Sequence, residues 1–156
     1  MPPRSTPGTA DGNPIPILIY GGTLLVLDDA PDWALALLET EPVGHLGLLD
    51  ERGYPRVQPV TFARVGAAIF TAVDHKPKRG VPARIARLRA NPACALTVDR
   101  YDDDWTRLAW IQVVGNATVC DEVPTALIER YPQYRERPPQ GPSIRLDPLH
   151  AVWWRG

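Results

Sequence analysis

The chain has 156 residues, 44% hydrophobic and 22% charged, with a formal net charge of −1 and a pI near 6.3. That is the length of one domain, with ordinary globular composition rather than a disordered one. It also excludes a generally basic nucleic-acid coat. Proline is abundant at 18 residues, and the two cysteines, Cys94 and Cys120, form neither a CxxC pair nor a disulfide framework, as in a reduced cytoplasmic chain.

The first 14 residues, "MPPRSTPGTADGNP", have the composition of a disordered tail. The apolar run that follows, Ile15 to Leu27, is broken by Pro16, Gly21 and Gly22 and is shorter than the roughly 20 residues of a membrane span. Residues 1–27 are therefore expected to be an extension, and residues 28–156 the folded domain. Asp29 is a candidate helix cap with Pro31 in the first turn, and Trp33, Leu37 and Leu38 follow at helical spacing until Pro42. "VGHLGLLD", "RVQPVTFA" and "AAIFTAVD" read as three strands joined by turns at Gly53 and Gly66. "PARIARLRANP" reads as a helix with Ile85 and Leu88 on its inner face. "ACALTVDRY" and "RLAWIQVVGNATVCD" are strands, the second bent or bulged at Gly115. "VPTALIERY" is a short helix, and "SIRLDPLHAVWW" the last strand. This pattern predicts a mainly β (α+β) fold: six antiparallel strands, enough to close a small barrel, with short helices packed on it.

Charge is distributed unevenly. Arginine outnumbers lysine 15 to 2, and both lysines lie in "VDHKPKRG". From His75 to Val98 there are six cations (Lys76, Lys78, Arg79, Arg84, Arg87 and Arg89) and no acid, so the rest of the chain carries −7. A basic loop that leads from a strand into a helix start suits an anion, with Lys76, Lys78 and Arg79 as candidate phosphate partners and His75 beside them. The competing reading is a solvated basic loop. Arg84 and Arg87, three apart on the helix, either extend this field toward a longer anionic tail or are ordinary surface arginines. The acids of "YDDDW" lack the alternation of a calcium loop, the scattered histidines have no metal-ligand spacing, and no aromatic interleaves the cations as a nucleic-acid module would need. GxSxG, P-loop and GxGxxG motifs are absent. Trp153 and Trp154 point to opposite faces of the last strand, so one faces away from the barrel and needs a partner subunit or a planar ligand.

The run "PRVQPVTFARVGAAIFTAVDHKPKR", the helix ending in "RANP", and "ALTVDRYDDDW" resemble the flavin and deazaflavin oxidoreductases of the pyridoxamine 5′-phosphate oxidase-like, FMN-binding-like split β-barrel superfamily, and within it the coenzyme F420-dependent branch. The resemblance runs from about Trp33 to Trp154. It implies a homodimer with two cofactor sites at the subunit interface. Gln58, Pro59 and Val60 would line the tricyclic ring. Thr71, Ala72, Lys76, Lys78 and Arg79 would hold the tail phosphate. A partner tryptophan (Trp105, Trp110 or one of the terminal pair) would close the ring site. Arg56 matches a basic position of the FMN enzymes, but Val60 and Phe62 stand where a second basic residue is expected. The acid-free cationic stretch suits the longer polyanionic tail of F420. The implied activity is reduction of a small conjugated or quinone-like substrate by F420H2. The alternatives are an FMN-dependent oxidase or reductase, and a non-catalytic F420 or haem carrier.

Overall fold

The computed structural model describes residues 26–73 and 82–156. Among them are four short helices, α1 (Asp32–Thr40), α2 (Ala83–Ala90), α3 (Thr125–Arg130) and α4 (Pro132–Glu136). The strands are β1 (Gly44–Leu49), β2 (Pro55–Val60), β3 (Ala63–Val65), β4 (Ala68–Ala72), β5 (Ala93–Arg100), β6 (Ala109–Cys120) and β7 (Ser143–Arg155). They form one antiparallel sheet in the order β2-β1-β5-β6-β7-β4-β3.

This corrects two sequence expectations. There are seven strands rather than six, and the sheet is open rather than a closed barrel, with β2 and β3 as its edges. "RVQPVTFA" is not one strand because the backbone at Phe62 bonds to side chains instead of a ladder. Its N–H donates to the Tyr131 hydroxyl (3.0 Å), and its carbonyl accepts from Arg130 (2.9 Å) and Tyr131 (2.9 Å). The chain thus crosses from one edge of the sheet to the other through Thr61 and Phe62. Three residue steps span at most about 11 Å, so the two edges converge at this corner without pairing.

Prolines account for most of the helix starts. Pro31, Pro82 and Pro124 occupy the N-caps of α1, α2 and α3, and Pro132 opens α4, all places where a missing N–H costs nothing. Asp29 does not cap α1. It lies in a 3-10 turn (Leu27–Asp29), where its carboxylate accepts from the Val26 N–H at 3.3 Å. Leu27, assigned by the sequence to the extension, is buried in the main core beside Ala30; residues 1–25 of that extension lie outside the described residues.

One side of the sheet carries the core: Leu46, Leu96, Val98, Ile111, Val113 and Ile144, covered by Leu37 and Leu38 of α1, Ile85 and Leu88 of α2, and Phe62. A second cluster (Ala63, Ala72, Leu127, Tyr131, Tyr134) sits beneath α3 and α4. The sheet bends at Gly115 as expected: the β6–β7 register shifts there, and a Cβ would stand 2.1 Å from the Asp147 carbonyl oxygen. The opposite side is less covered. Val57 and Trp154 are exposed, and Trp110 pairs across the ladder with Trp154. No helix among the described residues is long and apolar enough to cross a membrane.

Candidate functional site

Two adjoining cavities flank the corner where the sheet edges converge. The smaller, about 180 Å³, is lined by Val43, Pro59, Val60, Thr61, Ala72 and Arg84. The larger, about 630 Å³, lies between the end of α1 and the α3–α4 pair, with Pro42, Arg130, Tyr131 and Tyr134 in its wall. Val43 and Thr61 line both, so the two form one bent depression.

Each wall has a local cause. Val60 ends β2 opposite Gly44, where a Cβ would stand 2.8 Å from Leu96 and 3.2 Å from Phe62; glycine there lets the Phe62 ring turn inward and leaves Thr61 facing the cavities. Tyr131 saturates its hydroxyl on the corner, accepting from the Phe62 N–H and donating toward the carbonyls of Phe62 and Pro42, both at 2.9 Å. Burial pushes the Tyr131 phenol above its ordinary value. Tyr134 meets Tyr131 edge to face at 5.6 Å, and its hydroxyl lies 2.7 Å from Thr61 Oγ1.

Arg84 faces the smaller cavity from the first turn of α2, which contains no acid. One turn on, Arg87 has a buried Nε with no hydrogen-bond partner among the described residues. The nearby acid is Asp50 in the β1–β2 turn. Its carboxylate accepts from the N–H groups of Tyr54 and Arg52 (both 2.9 Å) and pairs with Arg56 at 3.8 Å. The Tyr54 N–H, assisted by Arg52, Arg56 and Arg87, holds Asp50 below the ordinary carboxylate range against the opposing effect of burial.

The structure brings Pro59, Val60 and Ala72 of the expected ring and phosphate residues together at the smaller cavity. Gln58 is exposed on the same side of β2 as Val60. Thr71 points the other way, into the core, where its buried Oγ1 borders an internal void of about 10 Å³ and has no partner among the described residues. His75, Lys76, Lys78 and Arg79 lie outside the described residues. Trp105 is exposed on a 3-10 turn (Trp105–Arg107), and Trp110 lies on the outer side of β6; neither lines these cavities within one chain. The acids of "YDDDW" shape their own loop: Asp104 accepts from the Thr106 N–H, and Asp102 from the Asp104 N–H.

Sequence reading missed Val43, Thr61, Arg130, Tyr131 and Tyr134. The available signal was "RYPQY", where a proline restarts a helix between two tyrosines three residues apart.

A family model for pyridoxamine 5′-phosphate oxidase matches residues 30–153. The chain belongs to this family. No curated protein matches its sequence. Solved structures share the fold of this oxidase family. An F420 reductase is 22% identical, with a TM-score of 0.59 over 81% of this chain and 100% of its own. An FAD-binding protein of Mesorhizobium loti is 17% identical, with a TM-score of 0.56 over 76% and 87%. A heme-binding protein of Mycobacterium smegmatis is 16% identical, with a TM-score of 0.62 over 81% and 55%. At these identities the likeness is one of fold, and the fold accommodates ligands of different chemistry.

Proposed function

We propose that this chain is an F420-dependent oxidoreductase of the pyridoxamine 5′-phosphate oxidase family that reduces a small conjugated or quinone-like compound. The observation that carries the reading is the juxtaposition of an apolar wall (Pro59, Val60, Ala72) with the cationic face of α2. The fit is tested by Arg87: a buried guanidinium nitrogen without an acceptor is what an anionic tail would satisfy. The segment from His75 to Val98 adds cations and no acid. A long polyanionic tail uses all of these, whereas a single terminal phosphate needs few.

Reduced F420 supplies the hydride when bound. The chain's own residues bind and orient. Pro59, Val60 and Ala72 would exclude water from one side of the ring. Arg84, Arg87, Lys76, Lys78 and Arg79 would hold the tail. The acceptor would lie in the larger cavity, where the Thr61–Tyr134 hydroxyl pair can hand a proton to the reduced product. Gln58 and His75 stay candidates at the margins of this site, and Thr71, turned into the core, does not.

A cavity of about 180 Å³ is smaller than the roughly 300–1,000 Å³ usual for small-molecule sites. A second subunit would supply the missing wall. The exposed Val57 and Trp154, with Trp110 beside Trp154, form an apolar sheet face suited to a homodimer, and Trp105 or Trp110 of the partner would cover the ring. The free Cys94 and Cys120 suit the cytoplasm.

The FMN reading is tested by the same experiment. Purified protein is titrated with F420 and FMN side by side, followed by Lys76→Ala and Lys78→Ala. F420 should bind more tightly, and Lys78→Ala should weaken it about ten- to a hundredfold. Tighter FMN binding would replace the cofactor assignment. Parent-like F420 binding by both variants would remove the basic loop from the site.

A further inference from the structure

The larger cavity contains a cation whose charge is incompletely matched. Arg130 donates to the carbonyls of Leu38 (2.8 Å) and Phe62 (2.9 Å) through Nη1, and to that of Glu41 (2.7 Å) through Nη2. Its guanidinium lies 4.5 Å from the Phe62 ring centroid and 5.6 Å from that of Tyr131. A guanidinium has five N–H donors, so two, at Nε and Nη2, are left without an acceptor among the described residues.

Two of the carbonyls end α1 and carry the partial negative charge of a helix terminus, about half a unit at most. The helix end therefore matches only part of the charge on the Arg130 guanidinium. Arg56, Arg64, Arg100, Arg107 and Arg145 each have a carboxylate within 4.0 Å; among the described residues Arg130 has none, and it differs from the other unpaired arginines in being fastened by three backbone carbonyls in a cavity wall. The nearby Glu41 carboxylate is taken by Arg100 at 2.6 Å. Glu39 is the acid in the cavity lining, and it is solvent-exposed. Beside Arg130, the Thr61 and Tyr134 hydroxyls add polar groups to the same wall.

We infer that Arg130 selects acceptors that carry a carboxylate or an equivalent fixed anion next to their reducible group. This deepens the proposed function, on which it rests for the role of the cavity, by naming a substrate class. Capping α1 uses two N–H groups and holding Phe62 a third; the two unused ones are what these structural contacts leave unexplained.

The test uses benzoate and benzamide, planar probes of nearly equal size that differ in charge, with the full chain and no cofactor. Benzoate should bind about tenfold more tightly, as expected for a charge-assisted contact. In nitrogen-resolved spectra, benzoate and not benzamide should shift the Arg130 Nε–H resonance and the amides of Thr61 and Gln133. In Arg130→Gln the preference should fall to about onefold. Equal affinity for the two probes overturns the inference. So does a benzoate preference retained by folded Arg130→Gln, or shifts confined to Arg56, Arg84 and Arg87. If Arg130→Gln does not fold, the Nε–H shift in the parent decides. F420 is titrated separately: its failure to bind would overturn the cofactor reading and leave the benzoate preference standing.

Discussion

Arg84 of α2 and the arginine that ends α3 face neighbouring cavities but are held in opposite ways. Arg84 projects beside an apolar wall, and one turn on the Arg87 Nε has no partner among the described residues. Arg130 is fastened by three backbone carbonyls drawn from α1 and the β2–β3 corner. One residue type therefore does two jobs. A guanidinium tied into the backbone contributes to folding, and one left untied is available to a ligand. Removing members of each group should separate the two.

The largest effect is expected from Arg130→Met. It strands the carbonyls of Leu38, Glu41 and Phe62 and unties the corner where the sheet edges converge. A cost of about 3 kcal/mol or more follows from losing several charged hydrogen bonds in a half-buried site. Urea unfolding would measure it, and a change under about 1 kcal/mol would erase the distinction between the two groups. Tyr131→Phe should come next, at about 1–3 kcal/mol, because it leaves the buried Phe62 N–H without its acceptor while keeping the ring. Recovery of parental stability would mean that water replaces the hydroxyl.

Arg84→Ala should do the reverse. Stability should move by no more than about 0.5 kcal/mol, the usual range for a surface change. F420 affinity should fall about tenfold, because Arg84 lines the smaller cavity. Arg87→Ala, set farther along the helix near Asp50, should cost at most about fivefold in affinity, and that loss should persist in added salt because the Nε is buried. Equal losses from both would place the tail differently along α2.

The asymmetry also bears on what the sequence discloses. Periodicity marks Leu37 and Leu38 of α1, Ile85 and Leu88 of α2, and the long strands β5 to β7, because a buried face repeats along its own element. Gly115 is legible because a glycine within an apolar strand has few other uses. The α2 cations are legible because charge accumulates there without acids. The corner is not. "PVTFA" continues the alternation of β2, and what interrupts it is the side chains of Arg130 and Tyr131, some seventy residues later. No local pattern records such a contact. Arg130 and Tyr131 therefore read as the end of an ordinary short helix, and Thr61 as one more strand residue. The count of six strands failed at the same point, since it took the run through Phe62 as a single strand where the structure divides it into β2 and β3.

The smallest effect is silent at neutral pH and appears only in alkali. Burial raises the Cys94 thiol from an ordinary 9.0 to about 12, and raises the Tyr131 phenol above 10.0. For either group the folded chain holds its proton more tightly than the unfolded one does. The resulting stability is fully present below the unfolded value and is lost as pH rises toward the folded value. Stability should therefore begin to fall near pH 9 through Cys94, with Tyr131 adding to the loss above pH 10. Arginines stay charged through this range, so neither group of guanidiniums takes part. Comparing Cys94→Ala and Tyr131→Phe with the parent from pH 8 to 11 isolates each contribution. In Cys94→Ala the decline should start about one pH unit later, and in Tyr131→Phe the part above pH 10 should be shallower. If Tyr131→Phe keeps the parental slope, the hydroxyl is not sequestered at the corner, and Arg130 alone ties α1, Phe62 and α3 together.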